Sequence, residues 1–391
     1  MTDAVIVSTA RTPIGRAYKG TLVDVDAFVL AEHAVRAAVD RSGLDPALLD
    51  DIILAESLQG GGDIARYVAV EAGLEHVPGA AVNRWCASGL TSFTMAAGSI
   101  AAGMDRAVVV GGTQSMSNSP QSTARVPGSA ERVGWMSPSH RETPDAPALD
   151  MSITVGWNAA QEAGVTREAM DAWAYRSQMR AVAAIDAGSF DQEIAPIEVQ
   201  GPAGPTLFAV DEHPRRSTTL EGLAALSPLH PEIPGFSITA GNAAGLNDGA
   251  AAMVVTSRDL ADEQGLESLA TVRAWASAGV APARTGLAPT VAIPKALQRA
   301  GLDIADVDLW EINEAFASMC VATCGVLGID DELVNVLGSG CSLGHPIAMT
   351  GSRMIMSLVH ELRRRGGGTA VAAMCAGGGM STAVVLDVPS A

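Results

Sequence analysis

The chain carries the opening of one folding unit twice. Arg41-Ser42-Gly43-Leu44-Asp45-Pro46-Ala47, continued to Glu56, aligns without a gap on Arg299-Ala300-Gly301-Leu302-Asp303-Ile304-Ala305, continued to Glu314. Further on, Val82-Asn83 aligns with Val334-Asn335. A run ending in Gly111-Gly112 has its counterpart at 370–374, before Gly377-Gly378-Gly379. The period is too long for a solenoid. It predicts two similar α/β halves related by a pseudo-dyad. Equivalent helix N-termini would then meet at their junction, a natural place for an active site.

Between the two copies the pattern changes. Apolar runs at 5–8, 51–55 and 107–110 read as strands, and the periodicity at 27–42 and 89–103 reads as helices. From 115 to 148 the chain turns to Ser, Pro, Met and Arg, which reads as a loop-rich excursion. Helical patterns follow at 159–162 and 167–187, then a stretch with Pro, Gly and His to Pro234, and a strand pattern at 249–257. The expected organisation is an N-terminal α/β half at 1–118, completed by 249–268. An inserted loop domain spans 119–248 and a C-terminal α/β half spans 269–391.

At 391 residues, 48% hydrophobic and 17% charged, the composition is that of a packed chain with sizeable cores. The formal net charge of -18 argues against nucleic-acid and anionic-membrane surfaces, which need clustered Lys and Arg. No apolar run approaches the length of a membrane span. The five cysteines, Cys86, Cys320, Cys324, Cys341 and Cys375, are odd in number and widely spread. They do not form a secreted disulfide framework, and no second Cys or His pair stands near Cys320 and Cys324 to complete a zinc site. A cytoplasmic protein without a metal is expected.

Four spots carry chemistry. Cys86 follows the apolar run Ala80-Ala81-Val82 and precedes a small-residue helix, so its sulfur is expected at a helix N-terminus, where unpaired N–H groups and the dipole favour a thiolate. A lone cysteine there is more often packing. Asn313-Glu314-Ala315-Phe316 closes the repeated unit. His345 lies in Gly344-His345-Pro346, inside a glycine-crowded loop, and Cys375 precedes Gly377-Gly378-Gly379. The spacing of Gly338, Gly340 and Gly344 does not fit a dinucleotide fingerprint. Two cysteines, a histidine and an asparagine suit covalent acyl chemistry: a thiolate attacks a carbonyl and N–H groups bind the oxyanion. A cysteine protease needs no second cysteine beside a glycine cluster. Carbon–carbon bond chemistry does need a second acid/base, for a proton on carbon.

Together the four motifs resemble the thiolases, the acetyl-CoA acetyltransferases and 3-ketoacyl-CoA thiolases, over essentially the whole chain. Thr9-Ala10-Arg11-Thr12-Pro13-Ile14-Gly15, Gly112-Thr113-Gln114-Ser115-Met116-Ser117 and 240–250 resemble further family segments. The resemblance implies a thiolase-like fold, two similar α/β halves in a layered αβαβα arrangement with an inserted loop domain. It implies a ping-pong acyltransferase in which Cys86 is acylated by a 3-ketoacyl-CoA. His345 would deprotonate Cys86 and help bind the thioester oxygen, and Asn313 would hold a water that completes that oxyanion hole. Cys375 would move the proton on carbon, and the N–H groups of Cys86 and Gly377 would form a second oxyanion hole. Coenzyme A, a substrate rather than a cofactor, would lie against the loop domain, and Arg215, Ala240, Ala244, Met151 and Phe316 would bind it or the substrate. A homodimer or homotetramer is implied.

The departures bear on substrate. Ala244 stands at a family serine, Asp150-Met151-Ser152 at the His-Met-Gly of short-chain biosynthetic members, and Thr285 at a methionine of the acyl pocket. Gln114 and Ala348 replace a usual glutamate and glycine. They point toward degradative cleavage of a 3-ketoacyl-CoA with an acyl group bulkier than acetyl. The alternatives are a biosynthetic acetyl-CoA acetyltransferase and a non-catalytic acyl-CoA-binding relative.

Overall fold

The computed structural model describes residues 2–201 and 204–390. The first strand, β1 (Ala4–Arg11), is buried at every position, as a strand covered on both faces must be. It is followed by β2 (Gly15–Arg16), α1 (Ala27–Ser42), β3 (Asp51–Ala55), α2 (Ile64–Glu71), β4 (Gly79–Val82), α3 (Ser88–Ala101) and β5 (Ala107–Ser115). The inserted stretch holds β6 (Ser122–Arg125), β7 (Arg132–Trp135), α4 (Asn158–Ala163), α5 (Arg167–Asp186), β8 (Ile197–Gly201), β9 (Gly204–Phe208) and α6 (Leu220–Ala224). Then come β10 (Asn247–Ser257), α7 (Arg258–Gln264), β11 (Ala270–Gly279), α8 (Pro289–Ala300), β12 (Leu309–Ile312), α9 (Ala317–Leu327), α10 (Gly340–Leu343), α11 (Thr350–Arg365), β13 (Gly368–Ala376) and β14 (Met380–Val388).

The repeat is visible residue by residue. α1 and α8 both end at a glycine in the left-handed region, Gly43 and Gly301, with φ of 67° and 70°. A 3-10 turn follows each, at Pro46–Leu48 and Ile304–Asp306, and then a strand, β3 or β12. The main sheet runs β12-β13-β14-β11-β1-β10-β5-β3-β4, so the strand order of one half reads outward from the β1–β11 junction as it does in the other. Asp51 pairs with Val108, and Leu309 with Ala370, both in parallel. In that register Cys375 occupies the place that Thr113 holds in the first half. The outermost strand lacks a full copy among the described residues: β4 is answered by a single bridge between Trp310 and Val334. Val334 there faces the equivalent of Ile52, whose partner is Gly79, so the sequence match of Val82 to Val334 does not hold in register.

Three apolar layers follow from this order. α1 and α2 cover the first half of the sheet through Leu30, Val35, Ile64 and Val68 packed with Val5, Ile52, Val109 and Val254. On the second half, Ile293, Leu297 and Met319 from α8 and α9 pack with Trp310, Val371 and Val385. α3 and α11 lie between, and Leu90, Phe93, Ile355 and Val359 touch residues of both halves, among them Val110 and Met374. The result is an αβαβα stack with the two central helices against each other. They cross closely at Gly89 and Gly351: a Cβ on Gly89 would lie 2.8 Å from the Ala348 carbonyl, and one on Gly351 2.4 Å from the Leu90 nitrogen. The stretch expected to be loop-rich contains the exposed β6–β7 hairpin, and a π-helical turn covers Ser152–Trp157.

Candidate active site

The crossing of α3 and α11 brings the first half's cysteine to the second half's loops. Cys86 lies just before α3, in a tight turn where Trp85 has a φ of 47°. The turn is held by Asn83, whose Oδ1 accepts the Trp85 N–H at 2.8 Å, and by Ser88, whose hydroxyl accepts the Arg84 N–H at 2.8 Å and donates to the Trp85 carbonyl. Cys86 is half-buried, and desolvation of its thiol pushes the pKa up to about 11, against the pull of its own N–H and the Gly377 N–H. The expectation of a thiolate favoured by the helix start is therefore corrected. The N–H groups are present, but removal of water from the sulfur outweighs them.

Gly377 comes from the turn that follows β13, one residue beyond its end at Ala376. Cys375 is on the same strand end, buried, with its thiol directed at the Met319 sulfur at 3.6 Å. Burial and the neighbouring Cys86 raise its pKa far above that of a free thiol. The structure thus places Cys86, Cys375 and Gly377 together.

His345 is buried in the loop between α10 and α11. The Thr350 hydroxyl donates to the Pro346 carbonyl at 2.8 Å and lies 2.7 Å from His345 Nδ1. With its proton so committed, the hydroxyl accepts from Nδ1–H, which leaves Nε2 as the unprotonated nitrogen. Asn313 Nδ2 is 3.4 Å from that Nε2. Burial, with a smaller push from Arg353, lowers the imidazole pKa to about 3. The backbone N–H of His345 donates to Asn247 Oδ1 at 3.1 Å, so the start of β10 fixes the loop.

Asn313 is fully buried at the end of β12, and its Oδ1 has no partner among the described residues. The loop that carries it is anchored by the next residue. Glu314 is a buried carboxylate that accepts from Trp173 Nε1 at 2.9 Å, Asn335 Nδ2 at 2.9 Å, the Ser177 hydroxyl at 2.6 Å and the Cys341 N–H at 3.0 Å. Asn313 stands out in its motif, whereas the role of Glu314 depends on four donors from distant stretches of the chain. Arg353, also buried, pairs with Glu311 and with the Ser339 hydroxyl beside the same loop.

Of the expected coenzyme A residues, Ala244 and Phe316 lie on adjoining stretches. Residues 242–244 run antiparallel to 315–317, with the Ala244 N–H donating to the Ala315 carbonyl and the Ala317 N–H to the Asn242 carbonyl. Phe316 is buried there and Ala240 is exposed nearby. Arg215 is exposed, and its backbone N–H reaches Gln178 Oε1 at 2.7 Å. Gln178 in turn donates to the Cys341 carbonyl at 2.8 Å, so this loop is tied to α10. Arg216 is committed to Asp186 at 2.6 Å. Met151, half-buried, packs against the second half's apolar cluster, to which Phe316 belongs.

Two residues invoked for substrate size are engaged elsewhere. Asp150 accepts from the Ser152 hydroxyl at 2.6 Å and pairs with His230 at 2.8 Å. Thr285 is fully buried and bonded on both sides of its hydroxyl. A cleft of about 800 Å³ does open beside the nucleophile's turn, lined by Trp85, Leu58, Met116, Trp135, Met136 and Leu149 among others. Among the described residues, no group of three or more His, Cys, Asp or Glu is placed to hold a metal ion, and no helix is long and apolar enough to cross a membrane.

Comparison with known proteins agrees with this arrangement. The thiolase N-terminal domain matches residues 4–259 and the thiolase C-terminal domain residues 266–388. The chain is 39% identical to an acetyl-CoA acetyltransferase of Cupriavidus necator, over 99% of this chain and 100% of that one. It is equally 39% identical to a 3-ketoacyl-CoA thiolase of Bacillus subtilis, with the same coverage. The crystal structure of human mitochondrial 3-ketoacyl-CoA thiolase superposes with a TM-score of 0.90 at 36% identity, over 99% of both chains. The chain belongs to the thiolase family of acyltransferase enzymes.

Proposed function

We propose that this thiolase cleaves 3-ketoacyl-CoA thioesters with coenzyme A, and that the acyl group is carried on Cys86. The observation that carries this reading is the meeting of Cys86 with the Gly377 N–H and Cys375, with the end of the His345 loop packed against the start of α3, where Gly89 meets the Ala348 carbonyl. His345 Nε2 takes the thiol proton as the Cys86 sulfur attacks the 3-keto carbon. The bond between C2 and C3 breaks, its electron pair goes to C2, and Cys375 supplies the proton that makes acetyl-CoA. A second coenzyme A gives its proton to the Cys375 thiolate and attacks the acyl-Cys86 thioester. The expelled Cys86 sulfur recovers its proton from His345. A thiol kept protonated by burial suits Cys375 as the acid toward carbon. The N–H groups of Cys86 and Gly377 would form one oxyanion hole, and Asn313, whose Oδ1 has no partner among the described residues, would hold the water that with His345 completes the other.

The acyl group is proposed to be bulkier than acetyl, a reading supported by the departures at Asp150-Met151-Ser152 and Thr285; the cleft beside Trp85 is lined by none of Cys86, His345, Asn313 and Cys375. Turnover of acetoacetyl-CoA against longer and branched 3-ketoacyl-CoAs tests this, and a clear preference for acetoacetyl-CoA overturns it. Physiological direction follows supply, so the biosynthetic reading remains the second one, favoured by the relatives named acetyl-CoA acetyltransferase. Intact mass after incubation with acyl-CoA should show an acyl adduct that Cys86→Ser lacks. No adduct in the unaltered enzyme would mark a binding protein instead. Cys375→Ala should still be acylated by a simple thioester yet fail at the carbon–carbon step, and unimpaired thiolysis would remove Cys375 from the mechanism.

The working protein is proposed to be a cytoplasmic homodimer or homotetramer with no cofactor beyond its coenzyme A substrate. The free edge of β4 immediately before Cys86 supports self-association. Molar mass by light scattering checks the first point, and turnover unchanged by a metal chelator the second.

A further inference from the structure

Thr285 takes no part in the chemistry above, yet it grips the turn that follows Cys375. It lies in the short helical segment Pro282–Leu287 and is fully buried. Its hydroxyl donates to the Pro282 carbonyl at 2.6 Å and accepts the Gly379 N–H at 3.0 Å. The same segment's neighbour holds the other side of that glycine, since the Val280 N–H donates to the Gly379 carbonyl at 2.6 Å. Gly378 and Gly379 have φ of 84° and 78°, so the turn consists of residues that fix no conformation by themselves. Its opposite face rests on Ser139, whose carbonyl would lie 2.7 Å from a Cβ at Gly378. Gly377, at the head of this turn, lies against the nucleophile's own turn, where a Cβ on it would be 3.6 Å from the Trp85 ring, and its N–H pulls the Cys86 thiol pKa down.

We propose that Thr285 is a positioning residue: its hydroxyl locks the Gly377–Gly379 turn so that the Gly377 N–H stays aimed at Cys86. The inference rests on Cys86 being the acyl carrier. A donor displaced by a fraction of an ångström stabilises developing charge poorly, so the loss should fall on turnover rather than on substrate affinity. Valine has the shape of threonine without the hydroxyl, and Thr285→Val leaves the Gly379 N–H and the Pro282 carbonyl unpaired. Thr285→Ser keeps both bonds.

The test measures kcat and KM of both variants, and the pH profile of Cys86 alkylation by iodoacetamide without substrate, read on the Cys86 peptide by mass spectrometry. Thr285→Val is expected to lower kcat by about tenfold or more, to change KM by less than about threefold, and to move the alkylation profile to higher pH. Thr285→Ser is expected to restore the kcat and the profile to within about twofold of the unaltered enzyme. A valine variant with unaltered kcat and profile overturns the proposal. So does a serine variant as impaired as valine, which would make the packing of the methyl group the cause. The alkylation profile needs no turnover, and a failure of the acyl-carrier assignment would show separately, as activity surviving in Cys86→Ser.

Discussion

Burial raises the Cys86 thiol to about 11 and lowers the His345 imidazole to about 3, which favours the neutral form of both. That ordering disfavours a preformed thiolate–imidazolium pair, and the proton is expected to move as the carbonyl is attacked. Alkylation of Cys86 should therefore rise by about tenfold per pH unit from near 7 toward 10, with no plateau around neutrality. A plateau below pH 7 would show that the thiolate is already formed. Nδ1 of His345 is held by Thr350, five residues on at the start of α11. Thr350→Val should free the tautomer and lower kcat by about tenfold or more, with little change in the alkylation slope. The contrast between these residues was only partly legible in the chain. Glycines flag Cys86, His345 and Cys375 because close backbone approach needs them. The thiol's protonation state depends on how much water the fold removes, which no spacing reveals.

The strand–loop element at β12 shows the same division. Asn313-Glu314-Ala315-Phe316 stands out as a motif, and its place at the end of a repeated strand was readable from the gapless match to 41–56. What holds it was not, because the donors to Glu314 come from Trp173, Ser177, Asn335 and Cys341. Glu314→Gln would set an amide donor against two of those four donors. A loss of about 2–4 kcal/mol is expected, read by urea unfolding, together with a fall in kcat as Asn313 loses its seat. α1 was readable to the residue because Asp26 caps it, accepting from Phe28 and Val29 at 2.9 Å, and Gly43 stops it. The β6–β7 hairpin was not, since nearly all of its residues are exposed and no alternation of apolar and polar side chains marks it. Thr285 was read as an acyl-pocket position because the departure from a methionine was visible and its hydrogen bonds were not.

Across the whole molecule, the inserted stretch is bound to the first half by one buried charge cluster. Arg11, at the end of β1, bonds both oxygens of Asp211 at 2.8 Å and Glu193 at 3.1 Å, and Asp211 also accepts the Ile14 N–H. Arg11→Met would strand two buried carboxylates and should cost about 3–5 kcal/mol, measurable as an early urea transition. Acid acts at the histidines. His213, His345 and His360 are buried with pKa values lowered to about 4, 3 and 4. Their contribution is complete above the ordinary value of 6.5 and is lost as pH falls toward 4, so the melting temperature should drop across that interval. A melting temperature flat from pH 7 to 4 would contradict their burial as neutral rings. The order of the sheet has a further consequence, for synthesis. β1 and β5 are complete by residue 115, but β10, which lies between them, begins only at residue 247. At ribosomal speeds the emerging first half spends on the order of ten seconds as a sheet with its middle strand missing and two raw edges. Strands left open in that way capture one another between neighbouring nascent chains. A chaperone that shields the first 115 residues should therefore raise the yield of native enzyme more than one that acts after release.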